Sequence, residues 1–280
     1  MLRFTKMQAI GNDYIYINCF EETVKDPSRL AIQFSNRHFG IGSDGVILIR
    51  PSDNADFFMD IYNADGSRAK MCGNGIRSVG KYVYERGLTD RTIFTVETLG
   101  GIKTLRLETE QGKVRSVTVD MGAPELDPKK IPAKFPGESA VNVPLTVDGA
   151  EYRVTCVSMG NPHCVLFVDD VKTAPVETLG PKLEHHPAFP ERANIEFVQV
   201  MGPDELAMRV WERGSGETMA CGTGSCASLV AAVLNGLCRR EAAVHLLGGD
   251  LKDRWDEGEN TVYMQGPAEF VFDGVLEGDF

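Results

Sequence analysis

The sequence predicts an α/β protein made of two copies of one domain. A Cys-Gly-x-Gly turn occurs at residues 72–75 and again at residues 221–224, a separation of 149 residues (221 − 72 = 149). The same offset relates two further dipeptides, Gly11-Asn12 to Gly160-Asn161 and Tyr62-Asn63 to Trp211-Glu212. Repeats of solenoid proteins are far shorter than this. One offset shared by three motifs therefore indicates duplication of a whole domain.

Short runs rich in β-branched or aromatic residues, separated by Gly, Asp or Asn, predict strands in the first copy. They are residues 46–49, 57–62, 92–97, 104–108 and 116–120. Ile76, Val79 and Val83 mark one face of a helix predicted from about Gly75 to Arg86. Gly87 is placed to end that helix.

The second copy repeats this plan. Strands are predicted at residues 165–168, 195–200, 206–211, 243–247 and 261–265, and a helix at residues 225–235. Residues 218–238 form a run of 21 without a charge, which is long enough to suggest a membrane span. The Gly, Ser, Thr and Asn content of this run argues against that, and a helix that is apolar on every side is typical of one wrapped by a sheet.

The chain length predicts the domain organisation. A chain of 280 residues predicts about two domains. Five prolines, at positions 124, 128, 132, 136 and 144, mark a connecting segment in which a long helix is not expected. We therefore predict an N-terminal domain of residues 1–122 and a C-terminal domain of residues 123–265. Residues 266–280 are predicted to return to the first domain.

Charge and cysteine content indicate the class of partner and the compartment. A net charge of −11 and a pI near 5.0 argue against nucleic acid or an anionic membrane, so we expect a small-molecule substrate. The first residues lack the apolar core of a signal peptide. Seven cysteines, an odd number without zinc-type spacing, fit a reducing compartment. These features predict a cytoplasmic protein without a metal site.

A glycine-rich segment, residues 40–45 (GIGSDG), matches the dinucleotide fingerprint G-x-G-x-x-G. That fingerprint requires a strand before it and a helix after it. Here an apolar strand follows instead, so we interpret these glycines as a loop.

The duplicated cysteine turn is the strongest functional signal. A helix N-terminus offers unpaired N–H groups and partial positive charge, which lower the pKa of a thiol and hold an anion beside it. Glycines let the backbone approach a ligand closely. The alternative is a pair of capping turns whose cysteines only pack, and two copies at one offset favour function.

Polar loops accompany the cysteines in both copies. Residues 160–163 (GNPH) place an amide and an imidazole in one turn, and residues 211–218 (WERGSGET) place a carboxylate and a guanidinium just before Cys221. A lone histidine in a turn is typically structural, and a Glu-Arg pair is typically solvated. Corresponding turns at residues 11–14 and 62–66 favour a functional interpretation. These loops and both helix starts would converge if the two halves face each other.

At these residues the chain resembles the diaminopimelate epimerase family, cofactor-independent isomerases of lysine and cell-wall biosynthesis that interconvert LL- and meso-diaminopimelate. The matching segments are residues 7–13 (MQAIGND), 63–67 (NADGS), 71–77 (MCGNGIR), 160–163 (GNPH), 192–194 (RAN), 211–214 (WERG) and 220–224 (ACGTG). The resemblance implies two pseudo-symmetric domains, each a curved mixed β-sheet or barrel around a central helix. It also implies an active site between the domains and a homodimer.

The resemblance also implies residue roles. Cys72 and Cys221 correspond to the catalytic thiols, and His163 and Glu212 to residues that tune their protonation. The implied substrate-binding residues are Asn12, Asn63, Gly73, Asn74, Asn161, Asn194, Glu212, Arg213, Gly222 and Thr223. The chain departs from some members at Gly45, where they carry a glutamine that can touch substrate.

Three alternatives stay open. A proline or hydroxyproline racemase would keep both cysteines but leaves Arg213 and the asparagines unexplained. A cysteine hydrolase could use Cys221, His163 and Asn194 as nucleophile, base and orienting group, which leaves the other cysteine turn without a role. A binding protein would need the thiols only for packing.

Overall fold

The repeated motifs lie in two units of the computed structural model, which describes residues 1–278. The first unit comprises Met1–Val119 and the C-terminal segment that begins at Gly266, and the second comprises Asp120–Gln265. Residues 279–280, the end of the segment predicted to return, lie outside the described residues.

The elements of both units follow one order. The chain forms β1 (Leu2–Ala9), β2 (Asn12–Asn18), α1 (Pro27–Ser35), β3 (Gly45–Arg50), β4 (Phe57–Asn63), β5 (Arg68–Ala69), α2 (Gly73–Glu85), β6 (Ile93–Thr98), β7 (Gly101–Glu110) and β8 (Lys113–Gly122). It continues with β9 (Val143–Val147), β10 (Ala150–Ser158), β11 (Pro162–Phe167), α3 (Val176–Glu184), β12 (Asn194–Gly202), β13 (Glu205–Glu212), β14 (Gly216–Glu217), α4 (Gly222–Leu234), β15 (Glu241–Leu246), β16 (Gly249–Asp256), β17 (Thr261–Gly266) and β18 (Glu269–Leu276).

The first unit is a mixed sheet. Strand β1 pairs antiparallel with β2 and with β18. Strand β2 pairs parallel with β3 across the α1 connection, and β3 pairs antiparallel with β4. Strand β4 pairs parallel with β6 across the α2 connection, and β6, β7 and β8 follow as an antiparallel series. The helices serve as the crossover connections that parallel neighbours require.

The second unit has the same pairing. Strand β10 pairs antiparallel with β9 and β11, and β11 pairs parallel with β12 across α3. Strand β12 pairs antiparallel with β13, which pairs parallel with β15 across α4. Strands β15, β16 and β17 complete an antiparallel series. The predicted α/β fold with two pseudo-symmetric copies is therefore confirmed.

The central helix of each unit is buried almost completely. All residues of α2 from Gly73 to Val83 are buried, as are nearly all residues of α4 from Gly222 to Ala232. The buried Lys81 side chain of α2 donates to the carbonyl of Val114 at 3.0 Å. Helix α4 has 13 residues, and no helix within residues 1–278 is long and apolar enough to cross a membrane.

Both central helices begin two or three residues before the predicted start, because the first glycine of each cysteine turn is already helical. Gly87 follows the end of α2 with a φ of +75°, and Gly236 follows α4 with a φ of +69°. Glycine adopts this left-handed conformation without a steric penalty, which is why both helices end there.

The elements absent from the sequence-based prediction are β1, β2, α1, β5, β9, β10, α3, β14, β16 and β18. Helix α3 contains Pro181, and a proline at this place in the sequence predicts the end of a helix. In β16 the buried positions alternate, but Asp253 occupies one of them between Leu251 and Trp255 and interrupts the apolar pattern. The segment 40–45 is a loop up to the start of β3, as interpreted from the strand that follows it.

Helix α3 fixes the end of β13 through two close contacts. A Cβ added at Gly180 would lie 2.6 Å from Cβ of Trp211, so the helix approaches the strand closely. Glu184 accepts hydrogen bonds from Trp211 Nε1 at 2.8 Å and from the Gly214 N–H at 3.0 Å. These contacts position the loop that carries Glu212 and Arg213.

We predict that Gly180→Ala lowers the free energy of unfolding by about 1–3 kcal/mol, because the added methyl group must displace the Trp211 side chain. Urea denaturation measures the change. The matched control is Gly202→Ala in β12, where the nearest atom to an added Cβ lies 3.9 Å away. A Gly180 variant as stable as the Gly202 variant would contradict this packing argument.

Candidate active site

Each cysteine of the duplicated turn is the N-cap residue of a central helix. Cys72 has an extended backbone (φ −137°), and its Sγ accepts a hydrogen bond from the Gly75 N–H at 3.3 Å. Cys221 has nearly the same backbone conformation (φ −121°) before α4. The first N–H groups of a helix have no partner within it, so both thiols lie beside donors that can hold an anion.

In the first unit, side chains from β2 and from the segment before β3 form a series of hydrogen bonds that reaches Cys72. The thiol donates to Asn12 Oδ1 at 3.4 Å, and Asn12 Nδ2 donates to Asp44 Oδ2 at 2.6 Å. Arg37 donates to the other oxygen of Asp44 at 3.0 Å. Burial, followed by the neighbouring Cys72, raises the pKa of Tyr14 well above its usual range. We call the residues around each of the two cysteines a half-site. In the first half-site, Asn12 is therefore held with its side-chain carbonyl toward the sulfur.

Gly45 and Asn63 lie where β3 and β4 pair. A Cβ at Gly45 would lie 2.2 Å from the carbonyl oxygen of Tyr62 and 2.8 Å from the Tyr14 ring, so the backbone leaves no room for a side chain there. Asn63 Nδ2 donates to Ser67 Oγ at 3.0 Å within the β4–β5 turn. The departure at Gly45 thus follows from packing.

In the second unit, Cys221 is 5% exposed. Burial raises the pKa of its thiol well above the usual range, and the nearby carboxylates of Glu212 and Glu196 raise it further. Thr223 Oγ1 lies 3.5 Å from Sγ and acts in the opposite direction, lowering the pKa. Burial and the two carboxylates therefore favour the thiol form of Cys221, and the Thr223 contact partly offsets them.

Glu212 and His163 accompany Cys221. Burial raises the pKa of the Glu212 carboxyl, while a hydrogen bond donated by Thr218 and the proximity of His163 lower it. His163 is fully buried, with Nδ1 at 2.6 Å from Glu196 Oε1 and Nε2 at 3.0 Å from Asn161 Oδ1. The structure thus brings both predicted tuning residues into the second half-site.

Asn194 and Arg213 join two loops of the second unit. Asn194 Nδ2 donates to the carbonyl of Pro162 at 3.1 Å, and its Oδ1 accepts from the Arg213 N–H at 2.9 Å. The Arg213 side chain is exposed and donates to the carbonyl of Glu191 at 3.1 Å. Asn194 therefore fixes the backbone from which the guanidinium projects.

The remaining predicted residues lie in the first turns of the central helices. Gly73 and Asn74 open α2, and Gly222 and Thr223 open α4. Asn161 Nδ2 donates to Thr223 Oγ1 at 3.2 Å, which connects the turn after β10 to the start of α4. Asn12 therefore contacts the Cys72 sulfur and Thr223 the Cys221 sulfur, whereas the side chains of Asn63 and Arg213 bond to Ser67 and to the Glu191 carbonyl.

Sequence reasoning missed Glu196 and Asp44. Glu196 is fully buried in the strand predicted at residues 195–200, and a charge inside a run of β-branched and aromatic residues is the signal that could have drawn attention to it. Asp44 lies in the loop before β3 and holds the amide of Asn12. Among residues 1–278, no cluster of three or more His, Cys, Asp or Glu residues is arranged to hold a metal ion.

Comparison with solved structures defines the class of fold. A phenazine biosynthesis protein of the PhzF family from Bacillus anthracis aligns with a TM-score of 0.70 at 16% identity, covering 99% of each chain. A hydroxyproline epimerase from Agrobacterium vitis aligns with a TM-score of 0.69 at 15% identity, covering 98% of this chain and 91% of the other. At these identities the likeness concerns the fold alone: two pseudo-symmetric α/β domains.

Sequence comparison is more specific. The model of the diaminopimelate epimerase family matches residues 4–126 and 155–271. The diaminopimelate epimerase of Acetivibrio thermocellus is 58% identical over 276 residues, covering 99% of both chains. That of Phocaeicola vulgatus is 55% identical over 277 residues, covering 99% of this chain and 98% of the other. The chain belongs to the diaminopimelate epimerase family and is an isomerase, which confirms the resemblance seen in its motifs.

We predict that Glu212→Gln melts at the same or a higher temperature than the native protein at pH 7. Burial raises the pKa of this carboxyl, so folding favours its protonated form and the charged form is costly. Stability from such a group is full below its unfolded pKa, about 4.3, and is lost as the pH rises through the higher folded value. The advantage of the neutral glutamine should therefore disappear near pH 4.

Calorimetry at both pH values measures this effect. The control is Glu138→Gln, which neutralises an exposed carboxylate. An equal loss of melting temperature at both pH values in the Glu212 variant would contradict the prediction.

Proposed function

We propose that this protein interconverts LL- and meso-2,6-diaminopimelate by moving the proton of one α-carbon, with Cys72 and Cys221 as the two acid–base groups. The observation that carries the proposal is the repeated placement of a cysteine at the N-cap of a buried central helix. The family membership supports the same substrate. The activity belongs to lysine and peptidoglycan precursor biosynthesis.

The reaction requires one base and one acid on opposite faces of the α-carbon. A thiolate removes the α-proton and forms an S–H bond, while the electron pair of the C–H bond stays on the substrate as a planar carbanion. The second thiol then delivers its proton to the opposite face and becomes the thiolate. The roles of Cys72 and Cys221 exchange when the reaction runs in reverse.

Charge that develops on the α-carboxylate must be stabilised by the protein. The first N–H groups of α2, at Gly73 and Asn74, and of α4, at Gly222 and Thr223, are the donors we assign to this role. Donors at a buried helix start are held in place before the reaction and need little reorganisation. This supports stabilisation of the carbanion by the backbone of the two helix starts.

His163 and Glu212 are proposed to tune the thiols. The carboxylate of Glu212 raises the pKa of Cys221, so loss of a proton from this thiol depends on the charge that Glu212 carries. His163 lowers the pKa of Glu212 and so favours the carboxylate form that raises the pKa of Cys221. The protonation of Cys221 therefore responds to a small group of coupled side chains.

Recognition of the distal amino acid end is assigned to Arg213 and the asparagines Asn12, Asn63, Asn161 and Asn194. The Arg213 guanidinium is exposed, and a planar guanidinium suits bidentate binding of a carboxylate. A distal carboxylate distinguishes diaminopimelate from lysine and from proline, so this contact accounts for substrate choice. We also propose that the enzyme acts in the cytoplasm as a homodimer.

The hydrolase alternative receives no support from the second half-site. Within the described residues, the ring nitrogens of His163 bond to Glu196 and Asn161 rather than to Cys221. Asn194 bonds to Pro162 and Arg213 instead of orienting His163. Among the residues that the structure describes, Cys221, His163 and Asn194 are therefore not hydrogen-bonded to one another as a nucleophile, a base and an orienting residue would be.

We predict that Cys72→Ala and Cys221→Ala each reduce epimerisation to background while leaving the fold intact, because either change removes one of the two proton-transfer groups. The assay supplies LL-diaminopimelate without added cofactor and resolves the stereoisomers formed. Incorporation of solvent deuterium at the α-carbon reports proton exchange. Cys19→Ala is the control, since this half-buried cysteine lies outside both half-sites. Near-native turnover by either active-site variant would exclude the two-thiol mechanism.

We predict that Arg213→Met lowers kcat/KM for diaminopimelate about ten- to hundredfold, because a charge-assisted hydrogen bond contributes about 1.5–3 kcal/mol. Lysine should be a very poor substrate of the native enzyme, and proline poorer still, because neither has the distal carboxylate. Steady-state kinetics with the three amino acids tests the assignment. Faster turnover of lysine or proline, or an unchanged kcat/KM in the variant, would contradict it.

A further inference from the structure

Glu196 is a buried carboxylate to which the mechanism above gives no role. Its side chain is 0% exposed, and its Oε1 lies 2.6 Å from His163 Nδ1. Its Oε2 is buried without a hydrogen-bond partner in the described part of the chain. Burial raises the pKa of this carboxyl, and His163 lowers it. A buried charge with an unsatisfied oxygen costs stability, so a contribution to stability does not explain its presence.

The first unit shows that packing does not require a carboxylate here. Ile47 occupies the equivalent position (196 − 47 = 149). A Cβ at Gly75 would lie 2.6 Å from Ile47 Cδ1, and a Cβ at Gly224 would lie 2.8 Å from Glu196 Oε1. Both side chains therefore lie beneath the second glycine of a cysteine turn, and the same fold accepts an aliphatic residue at this place.

Glu196 begins a continuous series of polar contacts that ends at the Cys221 sulfur. It runs from Glu196 Oε1 to His163 Nδ1 at 2.6 Å, from His163 Nε2 to Asn161 Oδ1 at 3.0 Å and from Asn161 Nδ2 to Thr223 Oγ1 at 3.2 Å. Thr223 Oγ1 lies 3.5 Å from Cys221 Sγ. We call this series the Glu196 relay.

Donor and acceptor chemistry gives the Glu196 relay a direction. Both ring nitrogens of His163 face oxygen acceptors, which suits the doubly protonated ring, and Glu196 is its counter-ion. With Asn161 Oδ1 accepting from the ring, its Nδ2 donates to Thr223. The Thr223 oxygen is then an acceptor on that side, and its own hydrogen is free to point at the sulfur.

We propose that Glu196 is a positioning residue that keeps His163 doubly protonated and, through Asn161, directs the Thr223 hydroxyl hydrogen to the Cys221 sulfur. A donor at this place stabilises the thiolate of Cys221 when it forms. The charged groups around the ring are Glu196 and Glu212. The kinetic consequence rests on the proposed function, whereas the protonation of His163 does not.

The first unit has a contact of opposite direction. The Cys72 thiol donates to Asn12 Oδ1, and the Asn12 amide is held by Asp44. An acceptor beside a sulfur favours the thiol, whereas the Thr223 donor favours the thiolate. At Cys221 the Thr223 donor offsets part of the preference for the thiol that burial and the carboxylates of Glu212 and Glu196 impose, and at Cys72 the Gly75 N–H is the donor that acts against the Asn12 acceptor.

The test compares Glu196→Gln, which keeps the shape but removes the charge, with the native enzyme. The matched control is Glu85→Gln, which removes a buried, lysine-paired carboxylate at the far end of α2 from Cys72. NMR of ¹⁵N-histidine-labelled protein at neutral pH reports the protonation of both ring nitrogens. The chain has five histidines, and a His163→Gln sample assigns the signal of His163.

In Glu196→Gln we expect His163 to change from the doubly protonated to a neutral signature, and kcat to fall about ten- to hundredfold, with KM changed much less. We take this range from metal sites, where removing the partner that orients a ligating histidine costs about ten- to hundredfold in activity. The melting temperature should be maintained. Glu85→Gln should leave both the His163 signal and kcat unchanged, although its melting temperature is expected to fall.

An unchanged His163 signal or a native kcat in Glu196→Gln would overturn the proposal. If that variant does not fold, Glu196→Ile, which copies Ile47, takes its place with the same measurements. Failure of both variants to fold would make Glu196 a structural residue and would also overturn it. If the native protein does not epimerise diaminopimelate, the proposed function fails. The NMR comparison alone then tests whether Glu196 controls the protonation of His163.

Discussion

Both half-sites depend on one constraint: a helix that is buried along its length must still satisfy the N–H groups of its first turn. At α2 the Cys72 sulfur accepts from the Gly75 N–H at 3.3 Å, but sulfur is a weak acceptor. The donors of the first turn thus keep capacity for a bound anion. Glycines are needed because the sheet packs against this turn, as the 2.6 Å approach of Ile47 to a Cβ at Gly75 shows. The recurring motif is therefore the joint product of helix capping and close packing, and it leaves donors for the anion binding that we propose.

Duplication keeps the backbone but not the charge. Tyr14 pairs with Gly45 in β3, and His163 pairs with Asn194 in β12, so tyrosine and histidine occupy the same place in the two units. Ile47 and Glu196 likewise correspond (196 − 47 = 149). The surroundings of Cys221 are consequently buried and ionic, whereas Cys72 is half-buried beside a neutral amide. The two-thiol mechanism we propose requires similar geometry but different protonation at the two cysteines, and divergence of side chains on a duplicated fold is compatible with both requirements.

Much of the fold followed from local pattern. Strands such as β3 and β13 are short apolar or alternating runs between turn residues, and both central helices follow a repeated cysteine turn. Two of the elements that escaped prediction, α3 and β16, contain a residue that opposes the local signal. In β16 the fold buries Asp253 where alternation calls for an apolar residue, and α3 keeps Pro181 because the helix packs closely on Trp211 through Gly180. Long-range packing outweighs propensity at such positions.

The sequence by itself determined the family and predicted which residues carry the chemistry, because a motif repeated at one offset reports shared position without any coordinates. It identified Cys72, Cys221 and the asparagine, histidine and glutamate turns, and through them the family. Only the tertiary structure decided how these residues are tuned. Glu196 lies 33 residues from His163 along the chain, and Asp44 lies 32 residues from Asn12, so each contact exists only after strands from distant segments have paired. Protonation depends on burial and on such neighbours, and neither is encoded in any local stretch of sequence.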